Sequence, residues 1–325
     1  MTSGKTGARR SNIFKSGGTT FSLIIVYVLM CAVFAILSPY FLRVKNFTNI
    51  FVYMSITGVM AAGVTVAMLL GAMDISQYAI ATMASVVAAK IINAGGNIFI
   101  AIIAALLTGI AAGAFNGVCF AILKIPAIVV TLGTMQIFRG MAYLLARGAT
   151  IMINSKAYSV IGKYYIGGFL PVCVLILIVV MAIIWIVLKR TKFGRLVYAV
   201  GGNENASFLS GINVALVKFT AMVICGATAA VAGLITSSQV SAAIPSNGVG
   251  NEMPVLSGVI LGGISLNGGK GHISGTIIGI LILETIQNGM TLLSISTFYQ
   301  MIINGSVLII AVLLDVIRSG ALKKR

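Results

Sequence analysis

Acidic residues are nearly missing from this 325-residue chain: Asp and Glu together number 5, against 22 Lys and Arg. Charged residues of both signs reach only 8%, where a soluble domain carries about 25%. Histidine occurs once, at His272, and tryptophan once, at Trp185. With so few acids and one histidine, no Ser/His/Asp triad can be assembled. The 4 cysteines (Cys31, Cys119, Cys173 and Cys225) stand singly inside apolar runs, without a CxxC pair. They read as small apolar filler, not as disulfides or metal ligands. These shortages exclude a disordered chain, a secreted disulfide scaffold and an ordinary cytosolic enzyme.

What is abundant is apolar surface. Hydrophobic residues make up 59% of the chain and the mean hydropathy is +1.10. Glycine occurs 37 times and proline 5 times, a balance that suits membrane helices. The fold class is therefore an all-α polytopic membrane protein, because long apolar runs need lipid around them. The net charge of +17 does not point to nucleic acid, since no basic stripe is interleaved with aromatics. Basic residues in such a chain gather in cytoplasmic loops.

Charge-free windows at 16–42, 46–73, 91–123, 164–188, 219–251 and 285–314, cut at Gly, Pro and Asn clusters, predict ten spans. These lie near 21–38, 49–71, 76–93, 98–122, 126–146, 166–188, 218–240, 252–265, 273–293 and 297–316, the eighth short or re-entrant. The first run follows Lys5, Arg9, Arg10 and Lys15 and reads as an uncleaved helix, not a signal peptide. An even number of crossings puts both termini on one side. If that side is the cytoplasm, the basic tails 1–20 and 318–325, Lys124, Lys189, Arg190, Lys192, Arg195, Lys218 and Lys270 all lie inside. Only Arg43, Lys45, Lys90, Arg147, Lys156 and Lys163 fall outside, so this orientation obeys the positive-inside rule. The transmembrane domain is then 21–317, with a cytoplasmic loop at 189–217 and an outer loop at 147–165.

The chain has no nucleotide site of its own. GGISLNGGKGH at 262–272 has the wrong glycine-to-lysine spacing, and Gly271 stands where a P-loop needs Ser or Thr. No GxGxxG or HExxH occurs. Transport or channel function remains, with any ATP chemistry supplied by a partner.

Polar residues inside the apolar runs are the functional candidates. Asp74 sits near a helix end, Glu252 opens the eighth segment, and Glu284 lies well inside a run. Glu284 reads as one side of an interhelical hydrogen bond, because no second buried acid or His stands ready for a proton relay. Arg139 falls mid-span. Either it lines a polar path with Thr131, Thr134 and Gln136, or it snorkels to the surface. Asn116, Asn288 and Asn304 each precede a Gly, the pattern of close helix packing. The candidate lining of a path is thus Asp74, Asn116, Thr131, Thr134, Gln136, Arg139, Glu252 and Asn288. Asp315 ends the last span beside Arg318 and reads as interfacial. Trp185 with Lys189 and Arg190 reads as an interfacial anchor.

The most informative stretch is TKFGRLVYAVGGNENASFLSGINVALVKF at 191–219. Asn203 can cap a short helix over 204–210, Glu204 suits its first turn, and Gly211 can end it. The residues Gly201, Gly202, Asn203, Glu204, Asn205, Ala206, Leu209, Ser210 and Gly211 then form a surface knob between hinges. Two readings stand: a docking knob for a cytoplasmic partner, or a solvated connector.

This loop resembles the coupling loop of the ABC importer permeases of the ribose/xylose/arabinose type. IPAIVVTLGTMQIFRGMAYLLARG at 125–148 is similar to that family's TLGT…RG stretch. LGGISLNGGKGHISGTIIGILILETIQNGM at 261–290 is similar to its glycine-rich signature, and STFYQMIINGSVLIIAVLLD at 296–315 to its closing segment. The resemblance covers residues 20–316. Two departures stand out: Asp74-Ile75-Ser76-Gln77-Tyr78 where the family commonly has DLSVG, and Glu252-Met253-Pro254-Val255-Leu256-Ser257 where it commonly has ELDAIA.

The resemblance implies a multi-pass permease subunit of the bacterial inner membrane that carries a monosaccharide. It implies a cytoplasmic ABC ATPase, which binds ATP and Mg and docks on 198–211, so this chain itself holds no cofactor and is not an enzyme. It further implies an extracytoplasmic sugar-binding protein and a second permease copy, identical or a close paralogue. Permeases for branched-chain amino acids or nucleosides are the alternative, and an ion-coupled secondary carrier a more distant one.

Overall fold

The computed structural model describes residues 13–319, with side chains over 21–317. The basic residues expected at 1–12 and 320–325 lie outside the described residues. Helices are α1 (Ile13–Leu37), α2 (Val44–Leu69), α3 (Gln77–Asn93), α4 (Ile98–Gly117), α5 (Ala127–Leu145), α6 (Lys156–Lys163) and α7 (Val172–Arg190). They continue with α8 (Lys192–Gly202), α9 (Glu204–Leu209), α10 (Val214–Val240), α11 (Glu252–Leu261), α12 (Ile273–Leu292) and α13 (Thr297–Ser319). A π-helical turn, Val118–Ile122, extends α4.

Each of the ten expected spans meets a helix. Among the described residues 7 helices are long and apolar enough to cross a membrane, namely α2, α4 with its π turn, α5, α7, α10, α12 and α13. The described part of α1 is a shorter apolar helix, Phe21–Leu37, and α11 is shorter again. α11 ends at Leu261, and residues 262–272 form a loop instead of the span to 265 that the hydropathy implied. α3 is buried on every face from Gln77 to Val86. Its Ala-rich sequence suits a helix enclosed by other helices, not by lipid.

α10 is the central helix, packed on α2, α3, α4 and α6. Its contact with α4 is set by glycine. Gly109, Gly113 and Gly117 recur every fourth residue on α4, so they share one face. A Cβ on Gly109 would collide with the carbonyl of Gly226, and one on Gly113 with the carbonyl of Met222. Without side chains there, the two backbones touch, and dispersion contacts replace the hydrophobic drive that lipid does not supply. The outer faces of α1, α4, α5, α7 and α13 carry the exposed large apolar residues, Leu107, Leu144, Ile183 and Ile309 among them. That is the surface a lipid environment accepts.

The expected outer loop 147–165 is a folded cap. β1 (Ile151–Met152) pairs antiparallel with β4 (Ala242–Ala243), and β2 (Tyr165–Ile166) with β3 (Leu170–Pro171). α6 seats Tyr158 on α10, where its hydroxyl lies 2.7 Å from Ser237 Oγ. Gly162 N–H donates to Ser238 Oγ at 2.8 Å. The span expected from 166 therefore starts at Val172.

Gly226→Leu is expected to force α4 and α10 apart and to cost about 1–3 kcal/mol or more. The readout is the melting temperature of the purified chain in detergent. Gly305→Ala, where a Cβ meets nothing within 4 Å, should leave that temperature unchanged.

Candidate functional site

A cavity of about 440 Å³ opens between α2, α3, α10, α11, α12 and α13. Tyr53, Thr57, Tyr78, Gln239, Asn247, Asn251, Glu284, Gln287, Asn288 and Asn304 line it, with Ile56, Pro254 and Leu283. The wall is aromatic and amide-rich. Glu284 is its one acid, and no Lys, Arg or His is among the lining residues. Thr57 Oγ1 donates to Glu284 Oε1 at 2.8 Å, tying α2 to α12. Gln287 donates to Gln300 Oε1 at 3.0 Å and accepts from Asn304 Nδ2 at 3.2 Å. Its amide is thereby fixed, while Asn288 Oδ1 has no protein partner among the described residues.

The eight path candidates do not meet in one place. Asn288 reaches the cavity. Gln136 is exposed on the outside of α5. Thr134 Oγ1 bonds its own helix at Thr131 O, 3.4 Å away. Asp74 is 2% exposed in the α2–α3 link and accepts from Ser76 N at 2.9 Å and Ser76 Oγ at 2.6 Å. Asn116 Nδ2 donates to the same Ser76 Oγ at 2.9 Å, and Thr131 Oγ1, 2.9 Å from Ala127 O of its own helix, lies 3.2 Å from Met73 O. These bonds stitch the link to α4 and α5, so Asp74, Asn116 and Thr131 form a buried brace away from the cavity.

Arg139 does not snorkel. Its Nη2 meets Glu252 Oε1 at 2.8 Å, with the two side chains 11% and 8% exposed. The pair bridges α5 to the start of α11, next to the cavity residue Asn251. Sequence reading missed this pairing because the partners lie 113 residues apart.

At another site the 191–213 stretch forms two helices. Asn203 Oδ1 accepts from Ala206 N at 2.9 Å and caps α9, which Gly211 ends at φ +80°. The expected knob is therefore α9, and Phe208 and Leu209 are its exposed apolar tips, 70% and 85% accessible. Gly201 and Gly202 are not a hinge but the last turn of α8. Gly202 is exposed, whereas Gly201 lies against the carbonyl of Leu69, leaving no room for a Cβ. Lys218 joins Glu204 at 2.7 Å, fixing α9 to α10. A groove of about 800 Å³ runs from Asn205 and Phe208 to Phe120, Lys124 and Pro126.

The chain matches the family model described as branched-chain amino acid transport system / permease component over residues 46–312. It is 39% identical over 297 residues to the ribose import permease protein RbsC of Escherichia coli K12, covering 90% of this chain and 92% of the relative. To the ribose import permease protein RbsC of Haemophilus influenzae it is 37% identical over 295 residues, 90% and 91%. To the D-allose transport system permease protein AlsC of Escherichia coli it is 37% identical over 306 residues, 92% and 90%.

Arg139→Ala is expected to strand the Glu252 carboxylate and to cost about 3–5 kcal/mol. Arg139→Met with Glu252→Leu should recover most of that loss. Melting curves of the two variants check it; equal destabilisation in both would remove the ion pair as a brace between α5 and α11.

Proposed function

The chain belongs to the permease family of branched-chain amino acid transport systems, and from that premise we propose that it carries a monosaccharide across a bacterial inner membrane. It is the membrane subunit of an ATP-binding-cassette importer. The observation that carries the reading is the high identity, along nine-tenths of the chain, to permeases named for ribose and allose. The ten expected spans cross the bilayer with both termini cytoplasmic; α11, at 10 residues, makes up only part of its crossing and, like α3, is sheltered by its neighbours. The α8–α9 face is cytoplasmic, and the cavity lies toward the opposite face.

The cavity chemistry favours sugar over amino acid, although the family description names the latter. A zwitterionic amino acid brings a carboxylate, whose strongest partner when it leaves water is a cation. The lining residues include Glu284 and no base. A neutral polyol needs donors, acceptors and flat apolar faces, and Gln239, Asn288, Tyr53 and Tyr78 supply them. Tyr78 and Pro254, two departures from the related permeases' usual sequence, both line this wall, so the wall is where this chain's sugar preference resides.

ATP is hydrolysed by a separate cytoplasmic subunit that docks on α9, burying Phe208 and Leu209 in its own cleft and filling the groove beside Lys124. An extracytoplasmic binding protein delivers the sugar. A second permease copy completes the pore.

The first test is a mild-detergent purification of the tagged chain from its host. A stoichiometric partner with ATPase activity is expected. A preparation without ATPase that still takes up solute down an ion gradient overturns the reading. Leu209→Asp should lower the copurified ATPase at least about tenfold, the size of an interface hot spot. Asn288→Ala should lower uptake while the ATPase stays bound.

A further inference from the structure

The glycine-rich loop 262–271 has no part in the docking knob and none in the cavity, yet it touches structures that serve both. It is a closed turn: Ser265 N–H donates to Lys270 O at 3.1 Å and Gly268 N–H to Ser265 O at 3.1 Å. Gly268 and Gly269 sit at φ +77° and +70°, a region side-chain-bearing residues avoid.

Three elements hold this turn. Gly269 N–H donates at 2.8 Å to the carbonyl of Leu69, the last residue of α2. The same carbonyl is packed against Gly201 of α8, and a Cβ on Gly269 would strike Gly202. Tyr198 of α8 donates its hydroxyl to Gly271 O at 2.9 Å. Burial pushes the Tyr198 phenol up, so it stays a donor. From α13, Asp315 accepts from Leu266 N at 3.1 Å, with Ser265 Oγ at 3.5 Å. Asp315 is buried, at 9% exposure. A buried carboxylate on a backbone amide makes a stronger bond than a neutral acceptor would.

Resting on the transport reading above, we propose that loop 262–271 is a second coupling element and that Asp315 is its positioning residue. α8 leads directly into the docking helix α9. The loop lies on α8, on the end of α2, and at the start of α12. α2 and α12 are the helices that carry Thr57 and Glu284, hydrogen-bonded to each other in the cavity wall. Close-packed backbone transmits displacement because it has no slack to absorb it. A movement of α8 therefore reaches both sides of the Thr57–Glu284 contact through one turn, provided Asp315 keeps that turn seated. With the anchor gone, α8 moves against a loose loop and hydrolysis no longer repositions the cavity wall.

The test uses the whole complex in proteoliposomes with sugar-loaded binding protein, measuring ATP hydrolysed per sugar taken up. Asp315→Ala is expected to keep the ATPase bound and hydrolysing while ATP per sugar rises about tenfold, the scale of one lost charge-assisted hydrogen bond. Asp315→Asn keeps an acceptor and should recover most of the coupling. Tyr198→Phe removes one hydroxyl, preserves folding, and should raise ATP per sugar about threefold; it decides the matter where Asp315→Ala yields no complex. An unchanged ratio in Tyr198→Phe and Asp315→Ala, with uptake falling only as complex is lost, overturns the coupling role alone. A wild-type complex that moves no sugar overturns the transport reading and this proposal with it.

Discussion

Within the apolar band of a bilayer no backbone amide can turn to water, so every N–H and C=O must find a partner inside the protein. That constraint decides where this chain departs from helix. Its interruptions at 70–76 and 262–272 pack against other helices, leaving Gly71, Asn267, Lys270 and His272 exposed, and side chains or glycine backbone bond them in place. Asp74 and Thr131 bond the first link. Asp315, Tyr198 and the Leu69 carbonyl bond the second. Two of the five scarce acids thus hold interrupted chain in place through backbone amides.

Helix existence was legible in the sequence, because charge-free windows of about 20 residues have one physical interpretation. The Asn203 cap of α9 was legible for another reason: capping is a local interaction across three residues. What escaped was built from distant or weakly apolar segments. The 151–171 cap consists of two-residue strands and an amphipathic α6, which leave no apolar run to detect. α8 was hidden by its two terminal glycines, read as a hinge when Gly201 is there for close contact with Leu69. The cavity draws its walls from α2, α3, α10, α11, α12 and α13, and only Asn288 of the predicted path joins it.

The polar residues expected to share one path serve three separate tasks, and their partners explain why. Arg139 and Glu252 neutralise each other at 2.8 Å and leave little field for a substrate. Asn116 spends a donor on Ser76, and the Thr131 hydroxyl is taken up by the carbonyls of Ala127 and Met73. The amide groups of Asn288 and Gln239 and the carboxylate of Glu284 are among the polar groups that line the open volume. A polar residue in an apolar run marks a need for a partner, and only the surrounding helices reveal whether that partner is protein or cargo.

The same economy bears on the energy source. An ion-coupled carrier changes state when its own acids gain or lose a charge, which requires buried carboxylates exposed in turn to either side. In this chain Asp74 and Asp315 are bonded to backbone and Glu252 is held by Arg139. Glu204 is on the surface of α9, paired with Lys218. Only Glu284 faces the cavity, and Thr57 holds one of its oxygens. A single such group gives no relay. These pairings leave the chain better suited to being moved from outside, as the proposed ATPase docking on α9 requires, than to generating its own driving force from an ion gradient.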